Sequence, residues 1–280
     1  MTYLPANGTP FTVSMGLRAM DPNDWIEIDE HYENEIAKKR ELLSENRQQV
    51  FATMSQGEAG SLEVLEKLRM HLPQRFPLNY PAVINVDARM HPLEQASLLV
   101  QEDLVIMSPQ DDQWILTAAC VCFPSRWNLL DKIGQNLHVI HDPVPHYEER
   151  IGHATDAMFS KFTPDRPVWR INWTVLDSPE LFQPSATGRK ARAHESTSSH
   201  DFGFNAYFRT ERQTLWALET GDVLFTIRSY VNSLTELDHK YPEFKANLWR
   251  TMMSTSDQTR AYKGWGPLWA DLQAWAGAYD

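Results

Sequence analysis

The chain has 280 residues, 42% hydrophobic, 22% charged and 11% aromatic, with 26 Lys and Arg against 37 Asp and Glu, a net charge of −11. This is a globular composition, and it excludes bulk disorder, collagen-like repeats and coiled coil. The acidic balance argues against a nucleic-acid or anionic-membrane surface.

Residues 1–20 read as an extended arm with turns at Asn7-Gly8 and Thr9-Pro10, lacking the basic start and apolar stretch of a signal peptide. Asp21 reads as an N-cap with Pro22 at the first helical position. Trp25, Ile28, Tyr32 and Ile36 then mark one face of a helix expected to reach about Glu45. A second helix is expected over 61–72, with Leu62, Leu65, Leu68 and Leu72 on one face. Strands over 103–107 and 113–123 form a hairpin through the turn 108–112. Cys120 and Cys122 fall in the second of these strands. They are expected on opposite faces, without a disulfide, and they supply no zinc framework. Helical periodicity returns over 128–141 and 147–162. Strands follow at 168–176, 206–211 and 223–230, then a helix over 234–253 and a Trp-rich tail. No apolar run approaches the roughly 18 residues of a membrane span, so a cytoplasmic protein is expected.

Strands that do not alternate with helices one by one argue against a doubly wound parallel sheet. The expectation is α+β: an antiparallel sheet of five strands with helices on one face. Two strands, a helical insert, then three strands is also the order of the PAS fold. We read one domain over 1–280, with a helical extension over 1–99, a PAS-like core over 100–231 and a helical tail over 232–280.

Histidines concentrate at His138, His141, His146 and His153. At 100° per residue from Leu130, His141 falls about 20° away on the buried stripe and His138 about 80° away on its flank. Asp142 precedes Pro143, which stops the helix there, and Pro145 stiffens the exit. A core histidine bonded to a carbonyl, an axial haem ligand and a zinc ligand are all open readings. Zinc is the weakest, because the spacing of His138, His141 and His146 crosses a helix end.

On a strand Arg209 and Glu211 share a face. Glu211 then pairs with Arg209 or meets a substrate ammonium ion. Arg126, Arg170, Arg209 and Arg228 sit in or beside strands, where anions such as haem propionates would satisfy some of them. The ten Trp fill a core or line a deep pocket. His194-Glu195 lies in a polar stretch that reads as a loop or lid. The glycine-rich nucleotide fingerprint, the phosphate loop, Gly-x-Ser-x-Gly and His-Glu-x-x-His are absent.

One set of segments runs in order along nearly the whole chain. It comprises Met15-Gly16-Leu17-Arg18 with Asp21-Pro22-x-Asp24-Trp25, Glu102-Asp103, Cys122-Phe123-Pro124-Ser125-Arg126-Trp127 and Lys132-Ile133-Gly134. It continues with Ile140-His141-Asp142-Pro143-Val144-Pro145-x-Tyr147, Arg170-Ile171-Asn172-Trp173 and Arg209-x-Glu211-Arg212-Gln213-Thr214-Leu215. Phe225-Thr226-Ile227-Arg228-Ser229-Tyr230 and Tyr262-Lys263-Gly264 complete it. The set resembles the α subunit of haem-dependent oxidative N-demethylase.

The resemblance implies a haem b PAS-type monooxygenase that oxidises a small methylated amine with O2 and releases formaldehyde. Electrons would come from NADPH through FMN and iron–sulfur partner subunits. It implies His141 as proximal iron ligand, Glu211 as the anion for a substrate ammonium, and Arg126 and Arg209 as propionate partners. A haem-binding PAS sensor and a haem-free interaction module are the alternatives. Neither a nucleic-acid partner nor a membrane is expected.

Overall fold

The computed structural model describes residues 2–12, 14–145, 153–185 and 199–277. Seven antiparallel strands form one sheet: β1 (Arg18–Ala19), β2 (Phe51–Thr53), β3 (Asp103–Gln110), β4 (Gln113–Cys120), β5 (Val168–Leu176), β6 (Tyr207–Ala217) and β7 (Val223–Ser233). Their spatial order is β1-β5-β6-β7-β3-β4-β2. The five long strands are the expected ones. The two short strands at the edges correct the count from five to seven, and segments so short show no periodicity to read.

Helices cover both faces, which corrects the expectation of one covered face. On the first face lie α1 (Tyr32–Glu45), α2 (Arg47–Val50), α3 (Glu58–Arg75) and α4 (Pro92–Ser97). Val64, Leu65, Leu68 and Leu72 of α3 share a cluster with Leu104, Ile106, Ala118 and Leu224 of the sheet. The insert between β4 and β5 contains α5 (Leu137–His141) and α6 (His153–Phe159). It covers the second face, where Leu129, Leu137 and Phe159 pack with Val105, Ala119 and Leu215. The C-terminal half adds α7 (Ser199–Asn205), α8 (Leu234–Lys240), α9 (Phe244–Met253), α10 (Asp257–Tyr262) and α11 (Trp269–Ala276). These helices enclose Trp173, Val175 and Phe208 at the far end of the first face.

Cys120 and Cys122 are free thiols buried in the same cluster. Residues two apart on extended backbone share a face, so the expected split does not occur. A hydrogen bond with the Cys120 thiol, together with burial, holds the Cys122 thiol above its ordinary range.

Three expected helices are shorter or broken, each for a local reason. Asp21 does cap a helical turn through Asn23 N–H at 2.8 Å, but that turn ends at Asp24. The chain then runs extended, because Glu27 N–H and Asp29 N–H donate to Glu102 and Gln101 at 2.9 and 3.1 Å. The helix expected over 128–141 stops after one 3₁₀ turn at Leu129–Asp131. Gly134 there takes a left-handed φ of 76°, and its N–H donates to Leu116 on β4 at 2.8 Å instead of continuing the helix. The helix expected over 234–253 divides at Tyr241, whose φ of −131° and ψ of 97° are those favoured before a proline. The hairpin turn is tighter than expected, with Asp111 and Asp112 alone at φ of 47° and 62°. The start of the helix expected over 147–162 lies outside the described residues.

Candidate active site

The second face of the sheet changes character along its strands. One cross-strand row is apolar: Val168, Leu215, Phe225, Val105 and Ala119 lie side by side. The next rows are polar. Arg170 on β5 faces Gln213 on β6, and Asn172 faces Glu211, which in turn faces Ser229 on β7. The alternation of a strand thus places Arg170, Asn172, Arg209, Glu211 and Gln213 on one surface.

Glu211 is the centre of this group. Its Oε2 accepts from the Asn172 amide at 3.2 Å and from the Gln213 amide at 3.1 Å. Its Oε1 lies 3.4 Å from Nε of Arg209. Arg209 is 0% exposed. Its other nitrogens donate to the carbonyls of Leu181 and Phe123 and to the Ser229 hydroxyl. The sequence thus places Arg209 and Glu211 together correctly, and Asn172 and Gln213 are additions it did not single out. Extending β6 beyond Glu211 would have put Gln213 on the same face.

Arg126 stands apart from Glu211 and acts as a clip. It holds a left-handed φ of 63°. Its backbone N–H donates to Gln183 at 2.7 Å, and its guanidinium donates to Asp177 and to the Gln183 side chain. Arg170 is the contrasting case. Its Nε is buried with no hydrogen-bond partner, and among the described residues it forms no ion pair. Burial lowers its pKa, and the charge of Glu211 opposes that.

His141 closes the short helix α5, whose N-terminus Asn136 caps through Val139 N–H at 2.9 Å. The helical wheel from Leu130 does not describe its position, since that helix is broken and Leu130 is 57% exposed. His141 is half-buried. Its Nδ1 lies 2.8 Å from the Leu137 carbonyl. A carbonyl only accepts, so Nδ1 carries the proton and the lone pair of the neutral ring is on Nε2. Burial pushes the ring's pKa down to about 4; Lys132, Arg170 and His138 push it the same way, and the Leu137 bond opposes them. The ring is therefore neutral at pH 7. Arg170 links the two halves of the site, since its charge acts on both His141 and Glu211. Tyr262 at the end of α10 feels Glu211 and Arg170 as well, and burial raises its hydroxyl.

A family model described as haem-dependent oxidative N-demethylase, alpha subunit-like, matches residues 16–272. The chain belongs to this family. No curated protein matches it. Among the described residues of this N-demethylase-like chain, no three His, Cys, Asp or Glu side chains could hold a metal ion together, and no helix is long and apolar enough to cross a membrane. His146, His194, Glu195 and the side chain of His153 lie outside the described residues, as does most of the loop 183–205.

A second polar system of this N-demethylase family member lies across the sheet. A cleft of about 460 Å³ there is lined by Tyr3, Glu27, Trp169, Arg212 and Tyr230 among others. Its polar groups satisfy one another: Glu27 accepts from the hydroxyls of Tyr3 and Tyr230 and lies 3.4 Å from Arg212. Beneath it Arg228 pairs with Asp29 at 2.6 Å and Glu35 at 2.8 Å.

Glu102 adjoins this system and is fully buried. One oxygen accepts Glu27 N–H at 2.9 Å and the other has no partner. Burial pushes the carboxyl from its ordinary 4.5 up to about 7, against the pull of Arg228. The folded state therefore holds this proton more tightly than the unfolded chain. The resulting stability is complete below 4.5 and is lost as pH rises through about 7. Glu102→Gln is expected to flatten that decline by on the order of 2 kcal/mol, read by urea unfolding at about pH 5 and about pH 8. An unchanged slope would assign the pH dependence to another group.

Proposed function

We propose that this chain is the haem-carrying subunit of an oxidative N-demethylase acting on a small secondary or tertiary methylamine. The observation that supports it most is His141: a neutral imidazole, anchored at Nδ1, with its lone pair on Nε2, in a chain of a haem-dependent family. An anchored Nδ1–H is the usual outer partner of a metal-bound histidine. The surrounding residues fit haem b as well. Val168 and Phe225, partly buried in the row next to Arg170, offer an apolar wall, and Arg170 offers a buried Nε that has no partner among the described residues. The succession of two strands, a helical insert and three strands supports a PAS-like core, with β1 and β2 as edge additions.

His141 would hold the iron. Arg170 would take a propionate, because among the described residues it forms no ion pair and its Nε has no partner, whereas Arg126 and Arg209 would first have to leave Asp177, Gln183, Phe123 and Leu181. Haem supplies the O2-dependent oxidation. Glu211 would receive the ammonium of the substrate at Oε1, whose contact with Arg209 Nε is long at 3.4 Å. Asn172 and Gln213 fix the other oxygen and so the direction of the carboxylate. An amine must shed its proton to be oxidised, and a carboxylate within reach of the nitrogen accepts it. The partly buried Val168 and Phe225 would help to keep water out. In sum, methylamine, O2, two electrons and two protons give demethylated amine, formaldehyde and water. As the family resemblance implies, the electrons would reach this chain from NADPH through FMN and iron–sulfur partner subunits, and its own two buried thiols are too few to ligate such a cluster.

The test is haem titration of the purified chain, followed by supply of electrons and dimethylamine. A Soret band saturating at one haem per chain, and formaldehyde formed in step with O2 use, are expected. A chain that takes up no haem would refute the reading. One that binds haem and O2 without turnover would point to a sensor.

A further inference from the structure

The assigned roles leave one half-buried charge beside His141 without a task. Lys132 follows the 3₁₀ turn Leu129–Asp131, and its ammonium donates to the carbonyl of Ile140 at 2.8 Å. The same ammonium lies 5.5 Å from the centre of the Trp127 ring. Among the described residues it has no carboxylate within ion-pair distance. The opposing charge that acts on it is that of the adjacent Asp131, which does not close on it as an ion pair.

The bond has a structural consequence. α5 is five residues long, too short to hold its own ends. Asn136 secures the first turn, and Lys132 secures the last by binding a terminal carbonyl, a favourable place for a cation. That carbonyl belongs to the peptide that joins Ile140 to His141. The ammonium is thus fixed next to the ring-bearing residue, in a half-buried setting where a unit charge acts more strongly than in water.

We propose that Lys132 is a positioning residue for the axial histidine and that its charge raises the reduction potential of the bound haem. The inference rests on the reading of His141 as iron ligand. Reduction adds one electron to ferric haem, and a fixed positive charge nearby favours the product. The partner of His141 works in the same direction. A carbonyl at Nδ1 makes the imidazole a weaker electron donor than a carboxylate would, so the ferrous state is not penalised. A subunit that must receive electrons before it engages O2 benefits from both.

The test is a spectroelectrochemical titration of haem-loaded wild type, Lys132→Arg, Lys132→Gln and Lys132→Met. Glutamine still offers a donor towards Ile140 but carries no charge, so it separates electrostatics from capping. The ferric–ferrous equilibrium is expected to move about tenfold towards ferric in the Gln and Met variants, about 59 mV for one electron. Arginine is expected to stay within threefold of wild type. If the Met variant loses haem, the Gln and Arg pair decides. A Gln variant indistinguishable from wild type would overturn the inference and leave Lys132 as a cap alone. Wild type that binds no haem would overturn the proposed function itself, and a Soret band unchanged in His141→Ala would detach Lys132 from the iron.

Discussion

Arg209→Met is expected to lower stability by about 3–5 kcal/mol, the range for breaking a buried ion pair by removing one partner. The side chain is fully buried in β6, an interior strand of the sheet. Methionine replaces much of its volume but none of its five donors. Glu211 keeps the amides of Asn172 and Gln213 but loses its cation. The carbonyls of Phe123 and Leu181 lose the bonds that tie two loops to the sheet. Urea unfolding should show a lower midpoint at an unchanged slope. The double variant Arg209→Met with Glu211→Gln should recover part of the loss, since no unpaired carboxylate then remains. A loss under about 1 kcal/mol would mean that water reaches the site and compensates for the missing guanidinium.

The second large effect is on haem. If His141 is the iron ligand proposed above, His141→Ala should weaken haem binding by on the order of 100-fold or more and abolish the wild-type Soret band. The variant should fold normally, as His141 is half-exposed and closes a short surface helix. Added imidazole should restore a wild-type-like spectrum by entering the space left by the ring. A band that persists unchanged without imidazole would show that another group ligates the iron.

Much of the sheet was legible in the sequence because strand alternation is local. β5 was placed to the residue, since Trp169, Ile171, Trp173 and Val175 alternate with polar neighbours. The length of β6 was underestimated, because Thr210, Glu211, Arg212, Gln213 and Thr214 look like loop residues until strands on both sides satisfy them. Long-range partners were invisible. Nothing near Glu27 or Asp29 announces that Gln101 and Glu102 will take their N–H groups and stop a helix. His141 shows how a residue can be singled out by a wheel that does not apply. The helix does end at His141, before Asp142 and Pro143, while the continuous helix expected behind it is interrupted at Gly134. Arg170 is one of four arginines in or beside strands, of which the resemblance points to Arg126 and Arg209, and only the folded arrangement shows that Arg126, Arg209 and Arg228 have partners.

The face assignment of β6 also bears on how the chain finds its pairing. Arg209, Glu211 and Gln213 point one way and Phe208, Thr210 and Arg212 the other. Sliding β6 by a single residue would drive Arg209 and Glu211 among Trp173, Phe244 and Trp265, and would bring Phe208 out beside Asn172. Each misaligned state strands a charge in hydrocarbon, so the Arg209–Glu211 pair also acts as a ratchet against misfolded sheets. Variants that neutralise Arg209 and Glu211 together would then populate slipped pairings during refolding, a kinetic defect that equilibrium stability alone would not reveal.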